Sequence, residues 1–324
     1  MTRRPPHRPD PAARTGPAHA GRAVSARAHA KINLDLRVLG TRPDGFHELR
    51  TVFQTIALHD TVTCVEREGP LAIECHTAGV PLDRSNLVWR AADALWRSIR
   101  RPGDARNVLI QLTKRIPLQA GLGGGSADAA ATLVALARLW KIAVRPTQLT
   151  DVAAALGSDV AFFLSGGTAL GLGRGEEVYP LADLPRHWIV LLVPGFGVSS
   201  VDAYRWYDSE RDLSTGSASR EPQYVPGPWP SRAAQMINDR EAAIARYHPE
   251  IDQMKVALRR AGALASAMSG SGSTVFGLFQ RRIDAQTAMA RLSGLSWRVL
   301  LTESLDWTAY ARQSRPTAGR VTGW

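Results

Sequence analysis

Residues 116–127 have the sequence IPLQAGLGGGSA, in which four glycines directly precede a segment with helical periodicity at 126–140. Glycine allows the backbone to approach a ligand closely and to adopt positive φ angles. The free N–H groups at the start of a helix carry positive potential and bind phosphate oxygens. A flexible linker is the alternative, but it would not run straight into a helix whose opening turn contains Ser126 and Asp128. The stretch therefore predicts a phosphate-binding loop.

Two common phosphate-binding loops do not fit this stretch. A Walker A loop ends in Gly-Lys followed by Ser or Thr, and no Gly-Lys dipeptide occurs anywhere in the chain. The dinucleotide-binding fingerprint needs a third glycine where Ser126 stands. It also needs an acidic residue at the end of a strand about 20 residues later, which this sequence lacks. The loop therefore belongs to another type.

Outward from the loop, strand-like and helix-like segments follow each other in a mixed order. The 324 residues are about twice the length of one ordinary domain, which predicts two domains. Residues 28–38 alternate apolar and polar, which predicts a half-buried strand with His29, Lys31 and Asn33 on its polar face. Strands come first and helices afterwards in each half, which favours an α+β fold. The other predicted strands are 49–58, 61–66, 71–76, 107–112, 167–172, 188–193, 263–268, 274–279 and a final one, the predicted helices are 86–100, 126–140, 147–156, 232–246, 249–261 and 283–293, and 209–231 is predicted to be an exposed loop.

The net charge of +11, from 40 basic and 29 acidic residues, is concentrated at the two ends of the chain. Residues 1–28 contain six arginines against one aspartate, residues 308–324 add three arginines and no acid, and 29–307 is left with +3. Five prolines in the first 20 residues break any helix. We therefore predict a disordered basic extension at 1–28, or a mis-assigned translation start, and a flexible tail at 308–324.

Composition also bears on the class of protein. The positive charge suggests a non-catalytic nucleic-acid-binding protein. Because the sequence contains no recognised nucleic-acid-binding motif, this is the least favoured alternative. Two cysteines suit a reducing cytoplasm, and the spacing of His and Cys gives no zinc site. No apolar run approaches the about 18 residues of a membrane span, and the first residues lack a signal peptide's apolar stretch. We expect a cytoplasmic protein that binds neither membrane nor nucleic acid; its oligomeric state is left open.

Three separated motifs resemble the GHMP kinases, the family of galactose, homoserine, mevalonate and phosphomevalonate kinases. They are the loop IPLQAGLGGGSADAA at 116–130, AKINLDL at 30–36 and AMSGSGSTVFGLF at 267–279. The resemblance implies an α+β, two-domain GHMP kinase-like fold with its active site in the interdomain cleft. It implies an N-terminal, ATP- and substrate-binding domain at 29–183 and a C-terminal domain at 184–307.

Within this family, residues 30–56 and 156–176 are similar to members that act on a cytidine diphosphate derivative in non-mevalonate isoprenoid biosynthesis. The implied reaction is ATP-dependent phosphorylation of the 2-hydroxyl of 4-(cytidine 5'-diphospho)-2-C-methyl-D-erythritol. The implied cofactors are ATP and the Mg²⁺ that accompanies it, without a dedicated metal site on the protein. Another small-molecule kinase of the family, of the mevalonate or homoserine type, is the alternative.

The resemblance assigns the catalytic pair to Lys31 and Asp159. Lys31 projects from the polar face of a predicted strand and is one of only four lysines, and Asp159 follows the end of a predicted helix. Taken alone, Lys31 is typical of a solvated strand lysine and Asp159 of a turn or cap residue. In the family, the matching aspartate takes the hydroxyl proton and the lysine holds the substrate oxygen.

The resemblance also assigns residues that bind the acceptor substrate. Phe46 and His47 match the residues that stack on cytosine and hydrogen-bond its edge, although Phe46 stands where the family often has tyrosine. Tyr204 is a candidate second wall for the base, and Asn33 shares the strand face of Lys31. The glycine motif adds Gly270, Ser271 and Gly272.

For ATP, the resemblance assigns the whole phosphate loop. Gln119 and Ala127 depart from the small and hydroxyl residues that are frequent in the family, so a hydroxyl contact to phosphate or metal is missing at Ala127. Backbone amides do not depend on the side chain, so the loop keeps its predicted role. Its predicted ATP-binding residues are Pro117, Leu118, Gln119, Ala120, Gly121, Leu122, Gly123, Gly124, Gly125, Ser126 and Ala127.

Overall fold

The computed structural model describes residues 21–213 and 236–320. The first half of the chain supplies most of one sheet and the second half supplies another. The strands are β1 (Arg22–Thr41), β2 (His47–Pro70), β3 (Ala72–Cys75), β4 (Arg106–Thr113), β5 (Thr168–Leu172), β6 (Glu177–Pro180), β7 (Trp188–Val193), β8 (Ala265–Met268), β9 (Val275–Phe279), β10 (Arg298–Glu303) and β11 (Thr317–Arg320). The helices are α1 (Leu87–Ser98), α2 (Gly124–Leu139), α3 (Pro146–Leu156), α4 (Ser158–Ser165), α5 (Ser200–Leu213), α6 (Glu241–Tyr247), α7 (Glu250–Arg260), α8 (Arg282–Leu292) and α9 (Trp307–Ser314).

The first sheet has the strand order β11-β1-β2-β4-β3, and β5 pairs with β2 and with β6. Its long strands β1 and β2 pair antiparallel over nearly their whole length. Helices α1 to α4 bury their apolar side chains against this sheet, with Leu95, Leu133, Leu136 and Phe162 among the fully buried residues. Burial of this apolar surface is the main force that holds α2, and with it the phosphate loop, on the sheet.

The second sheet has the order β10-β7-β9-β8, and all its neighbouring strands are antiparallel. Helices α6, α7 and α8 pack against it through a core that includes Ile244, Met254, Leu258 and Leu292. A further core joins the two sheets, because Ile32 of β1 clusters with Leu191 of β7 and Phe276 of β9. The cleft that carries the predicted site therefore has an apolar floor shared by both halves.

The polar face of β1 is buried, which differs from the predicted half-buried strand. His29, Lys31 and Asn33 are all almost fully buried, although the alternation with apolar residues was read correctly. The reason is tertiary, since the backbone N–H of Lys31 donates to the carbonyl of Leu122 in the phosphate loop. A loop distant in sequence thus covers the face that the pattern alone assigns to solvent.

The predicted tails correspond only in part to the structure. Residues 22–28 belong to β1, and residues 1–20 of the predicted N-terminal extension lie outside the described residues. A flexible tail at 308–324 is wrong for 308–320, which forms most of α9 and all of β11. The ring of Tyr310 is buried and its hydroxyl donates to the carbonyl of Phe163, while β11 pairs with β1. The chain thus returns to the first sheet at its end.

Several further differences concern short elements. Helices α4, α5 and α9 and strands β6 and β11 were not predicted, and α5 occupies the start of the loop predicted at 209–231. The helix predicted at 232–246 begins only at Glu241, and 232–235 lies outside the described residues. The predicted boundary at 183/184 falls between β6 and β7, which belong to different sheets. No helix within 21–213 and 236–320 is both long and apolar enough to cross a bilayer.

Candidate active site

Lys31 and Asp159 lie together at the cleft. The Nζ atom of Lys31 is 3.3 Å from Oδ2 of Asp159, with side-chain exposures of 4% and 30%. Lys31 also donates a hydrogen bond of 2.6 Å to Oδ1 of Asn33, which itself donates to the hydroxyl of Thr51. The hydrogen bond to Asn33 therefore fixes the ammonium of Lys31, while the carboxylate of Asp159 remains open to the cleft.

The position of Asp159 follows from a helix that the sequence pattern did not indicate. Gly157 ends α3 and serves as N-cap of α4, so that Asp159 lies in the first turn of α4. A carboxylate at that position interacts favourably with the positive end of the helix dipole. The prediction that Asp159 can point into a cleft is thus compatible with the structure, but its location is a helix start rather than a loop.

Burial lowers the pKa of the Lys31 ammonium from the ordinary lysine value. The nearby Asp159 carboxylate raises this pKa, and the Arg240 guanidinium lowers it further. Because two cations and one carboxylate meet at this point, a bound anion would relieve both desolvation and like-charge repulsion. The site is electrostatically prepared for a negatively charged ligand.

The phosphate loop presents free backbone amides to the same cleft. Gly123 has a φ of 70° and caps α2, which begins at Gly124 without a side-chain cap. The amide of Ala127 donates to the carbonyl of Gly123, and the methyl group of Ala127 is buried in the core. The unbonded amides of the first turn are therefore those of Gly124, Gly125 and Ser126, which fit an anion at the helix start.

The remaining loop residues divide between core and surface. Ala120 and Leu122 are buried, and Leu118 and Gln119 are exposed, with Pro117 between these extremes. The loop begins next to a cleft of ≈ 380 Å³ that is lined by residues 114–118 on one side and by 193–197 and Arg298 on the other. A cleft of this size is at the lower end of the range for small-molecule sites.

The two glycine motifs contact each other, although 148 positions separate the pair that is hydrogen-bonded. The hydroxyl of Ser269 donates to the carbonyl of Gly121 at 3.0 Å. Gly121 has a φ of +74°, and a Cβ atom there would lie 2.1 Å from the carbonyl oxygen of Ser269. A Cβ atom on Gly270 would lie 3.1 Å from Nζ of Lys31, so the second motif reaches the predicted catalytic lysine. Glycine is required at both positions by close approach.

The predicted base-binding residues form a pair and one outlier. The rings of His47 and Tyr204 are stacked, with centroids 4.5 Å apart and planes inclined by 9°. Nε2 of His47 lies 2.7 Å from Oδ1 of Asp208. Phe46 is 54% exposed and lies under the guanidinium of Arg174, 5.0 Å from the ring centre. The structure thus brings His47 and Tyr204 together and places Phe46 at the surface.

The other predicted contacts line the opposite part of the cleft. The hydroxyls of Ser271 and Ser200 lie 3.2 Å apart, which joins the second glycine motif to the start of α5. Gly272 has a φ of +80° and would place a Cβ atom 2.8 Å from the sulfur of Met268.

Burial raises the pKa of Tyr204, Arg240 lowers it, and Asp159 raises it. Tyr204 of the stacked pair is therefore close enough to Asp159 to respond to its charge.

A buried charged cluster anchors the loop and was missed by sequence reasoning. Nζ of Lys114 lies 2.5 Å from a carboxylate oxygen of both Asp60 and Asp128. Asp60 also accepts from the backbone amides of Arg115 and Ile116 at the start of the loop. Burial raises the pKa of Asp128 to about 7, Lys114 lowers it, and Asp60 raises it. The sequence contains one indication of this cluster, because Lys114 is one of only four lysines in an arginine-rich chain.

Asn238 and Arg240 were also missed. The amide of Asn238 donates to the carbonyls of Met268 and Gly270, so it fixes the second glycine motif. The guanidinium of Arg240 lies 4.7 Å from the ring centre of Tyr204. Nothing in the local sequence marks either residue, because their positions in the cleft depend on how both sheets pack.

Comparison with known proteins agrees with this geometry. The model of the GHMP kinases N terminal domain matches residues 86–167, and that of the GHMP kinases C terminal domain matches 229–295. The 4-diphosphocytidyl-2-C-methyl-D-erythritol kinase of Solibacter usitatus is 42% identical over 94% of this chain and 96% of its own length. The enzyme of that name from Moorella thermoacetica is 42% identical over 86% and 98%. This chain belongs to the 4-diphosphocytidyl-2-C-methyl-D-erythritol kinase family.

Solved structures agree with membership of that kinase family. A crystal structure of 4-(cytidine 5'-diphospho)-2C-methyl-D-erythritol kinase has a TM-score of 0.69 and 33% identity, covering 86% of this chain and 98% of the other. A homoserine kinase from Cytophaga hutchinsonii shares the fold, with a TM-score of 0.65 and 19% identity over 93% and 98%. The predicted α+β, two-domain GHMP kinase-like fold is confirmed. So is the prediction of a kinase that uses ATP on a small-molecule substrate.

Proposed function

We propose that this chain transfers the γ-phosphoryl group of ATP to the 2-hydroxyl of 4-(cytidine 5'-diphospho)-2-C-methyl-D-erythritol. One observation carries the proposal: the Lys31–Asp159 pair adjoins the glycine loop, where the backbone amide of Lys31 donates to Leu122, and the charge of Asp159 reaches Tyr204 of the His47–Tyr204 stack. The names of its relatives support this acceptor. The reaction belongs to the non-mevalonate route to isoprenoid precursors.

In this proposal, the 2-hydroxyl oxygen attacks the γ-phosphorus, the bond to the β,γ-bridging oxygen breaks, and ADP leaves. The hydroxyl proton passes to Asp159, whose carboxylate is the exposed member of the pair. Lys31 holds the attacking oxygen and stabilises the negative charge of the transferred group. Phosphoryl transfer depends mainly on such positioning and charge stabilisation, which suits a buried ammonium that Asn33 keeps in place.

The phosphate loop is proposed to bind ATP. The amides of Gly124, Gly125 and Ser126 would hold phosphate oxygens, and the ≈ 380 Å³ cleft beside residues 114–118 would take the nucleoside. Mg²⁺ would arrive on the phosphates of ATP and supply positive charge there. The described residues contain no group of three or more His, Cys, Asp or Glu arranged for a metal, so phosphate oxygens would be its main ligands.

On the acceptor side, we assign His47 and Tyr204 to the cytosine ring and Asn33 to the methylerythritol unit. Gly270, Ser271 and Gly272 would approach the diphosphate or the transferred group through their backbone. Phe46 would have to turn from its surface position to stack on the base. The cytoplasmic location, the Mg²⁺ requirement and the absence of a nucleic-acid partner stay predictions.

The test is ADP release with four alcohols: the cytidine diphosphate derivative of methylerythritol, mevalonate, homoserine and galactose. We expect the wild type to prefer the cytidyl compound. Asp159→Ala and Lys31→Ala should each lower kcat by roughly 10²–10⁴-fold, as expected for loss of a proton acceptor or a charge stabiliser. Asp151→Ala, on the exposed side of α3, is the matched control and should keep wild-type turnover.

Two results would reject this assignment. Equal turnover of the four alcohols would reject the cytidyl compound as the specific substrate. Wild-type rates in both Lys31→Ala and Asp159→Ala would reject these two residues as the catalytic pair. His47→Ala separates the closest alternative, because another small-molecule kinase of the family would not need a base-binding residue. For the proposed acceptor, His47→Ala should raise KM for the cytidyl compound and leave KM for ATP unchanged.

A further inference from the structure

Arg240 is a buried cation without a matching anion at the edge of the candidate site. The residue is 5% exposed, and its Nε atom has no hydrogen-bond partner. Among the side chains that the structure describes, no carboxylate lies within ion-pair distance of its guanidinium. Removing a guanidinium from water without a partner is costly, so a buried and unpaired arginine indicates that a ligand supplies the partner.

The guanidinium is near both parts of the site that the acceptor must connect. It is 4.7 Å from the ring centre of Tyr204, which is stacked on His47. It is also close enough to Lys31 for its charge to act on that ammonium. Lys31 has an ion-pair partner in Asp159, whereas Arg240 has no ion-pair partner among the described side chains.

The backbone of Arg240 is fixed by both halves of the molecule. Its amide donates to Oδ1 of Asn238, whose own amide group holds the second glycine motif. The preceding Asp239 accepts from the amide of Val38 and pairs with Arg37 in β1. A side chain that starts from such a fixed point loses little further freedom when it binds a ligand, which favours its use in recognition.

We propose that Arg240 binds the diphosphate group of the acceptor substrate and thereby selects a nucleoside diphosphate derivative over an uncharged alcohol. The inference rests on the proposed function, because that function places cytosine at His47 and Tyr204 and the reacting hydroxyl at Lys31 and Asp159. The diphosphate joins these two ends, and Arg240 contacts Tyr204 at one end while its charge reaches Lys31 at the other. The planar guanidinium can donate two parallel hydrogen bonds to phosphate oxygens, which a lysine cannot do.

The phosphates of ATP are the other source of the same chemistry. They already have the free amides at the start of α2, in the loop whose Leu122 carbonyl accepts from the backbone amide of Lys31. Arg240 contacts Tyr204 instead, which belongs to the base-binding side. The geometry therefore assigns Arg240 to the acceptor, and the experiment separates the two sources.

The experiment measures the Kd of CDP and of cytidine by calorimetry, together with steady-state kinetics, for wild type, Arg240→Met and Arg240→Lys. Arg240→Met should weaken CDP binding by roughly ten- to hundred-fold, as for loss of charge-assisted hydrogen bonds, and cytidine binding by less than about threefold. KM for the cytidyl substrate should rise with it while KM for ATP stays constant. Arg240→Lys should recover part of the CDP affinity. The matched control is Arg246→Met, in helix α6 that directly follows Arg240, exposed and paired with Glu210.

Two outcomes overturn the proposal. Equal weakening of CDP and cytidine would mean that Arg240 only supports Tyr204, and a change in KM for ATP with unchanged CDP binding would assign Arg240 to ATP. The wild-type arm separates these failures from failure of the proposed function, which would appear as no CDP binding and no turnover of the cytidyl substrate. If Arg240→Met does not fold, the CDP-to-cytidine comparison in Arg240→Lys decides, because lysine keeps the charge but loses the paired donors.

Discussion

For the side chain of Lys31, burial and the need to stay charged act against each other. In the proposed mechanism its ammonium must stay charged to hold an oxygen that gains negative charge, yet the side chain is only 4% exposed. Burial lowers its pKa, Asp159 raises it, and Arg240 lowers it again. Between this lowered pKa and the unfolded lysine value of 10.5, the unfolded chain binds more protons, so the free energy of unfolding rises with pH there. Activity must move in the opposite direction, because deprotonation removes the charge that the reaction uses.

We therefore predict that kcat/KM falls on the alkaline side at a pH below 10.5, the ordinary lysine value. Lys31→Arg should move this fall to higher pH, since the guanidinium keeps its charge, even if the rate at neutral pH is lower. Lys141→Arg, at an exposed lysine, should leave the profile unchanged. An unchanged alkaline fall in Lys31→Arg would show that another group is responsible. The measurement is kcat/KM against pH, with the folded state verified by circular dichroism at each pH.

At the scale of elements, the two glycine motifs act as one unit. The carbonyl of Ala120 accepts from the amide of Thr274, and the carbonyl of Gly121 accepts from Ser269. The phosphate loop leads from β4 of the first sheet into α2, and the second glycine motif joins β8 to β9 of the second sheet. The contact between the two motifs is therefore set by the apolar core between the sheets. The free amides of α2 keep their direction because this contact leaves no space for the loop to rotate.

Gly121 and Gly125 make a matched pair for testing this unit. In Gly121→Ala the new methyl group would meet backbone oxygens at 2.1 and 2.8 Å, at a φ of +74°. We expect a loss of stability of at least about 1–3 kcal/mol from overpacking and backbone strain. In Gly125→Ala the nearest atom is 3.8 Å away, and replacing a helical glycine should stabilise by about 0.5–1 kcal/mol. Urea unfolding measures both, and a Gly121→Ala variant as stable as wild type would reject the proposed packing.

Prediction from the sequence succeeded where chemistry is local and failed where packing decides. The glycine loop that leads into helix α2 was predicted correctly, because glycine spacing and helix periodicity are adjacent in the chain; its binding of phosphate stays a prediction. The burial of Lys31 was not predicted, because the covering Leu122 lies far along the sequence. Helix α4 is only eight residues long and follows Gly157, which reads as an end rather than a start. No sequence pattern distinguishes Arg240 from the many other arginines of this chain.

At the scale of the whole molecule, the ends of the chain close the first sheet. Strand β11 pairs with β1 from Arg22 to Ser25, and Tyr310 of α9 is buried beside Gly166, where a Cβ atom would lie 2.0 Å from its ring. The C-terminal arginines therefore belong partly to folded structure, and the basic charge of the chain is not confined to tails. The body that carries the site begins at β1 rather than at residue 29.

This organisation predicts different results for two N-terminal deletions. Removing residues 1–20 takes away three net positive charges and none of the described contacts, so turnover of the cytidyl substrate should stay at the wild-type level. Removing residues 1–28 also removes the buried side chains Val24, Ala26 and Ala28 and the strand pairing with β2 and β11. That loss of core and hydrogen bonds should lower Tm strongly or prevent folding.

The comparison also tests the role of the charge. If the basic N-terminal residues served a nucleic-acid partner on which activity depended, the shorter deletion would already change turnover, and binding to a DNA duplex would fall with it. Turnover and Tm measured side by side for both deletions separate these cases. Because Lys31, the proposed catalytic lysine, lies only three residues beyond the longer cut, in the same strand that pairs with β11 and β2, we expect stability and catalysis to be lost together in the longer deletion and to be kept in the shorter one.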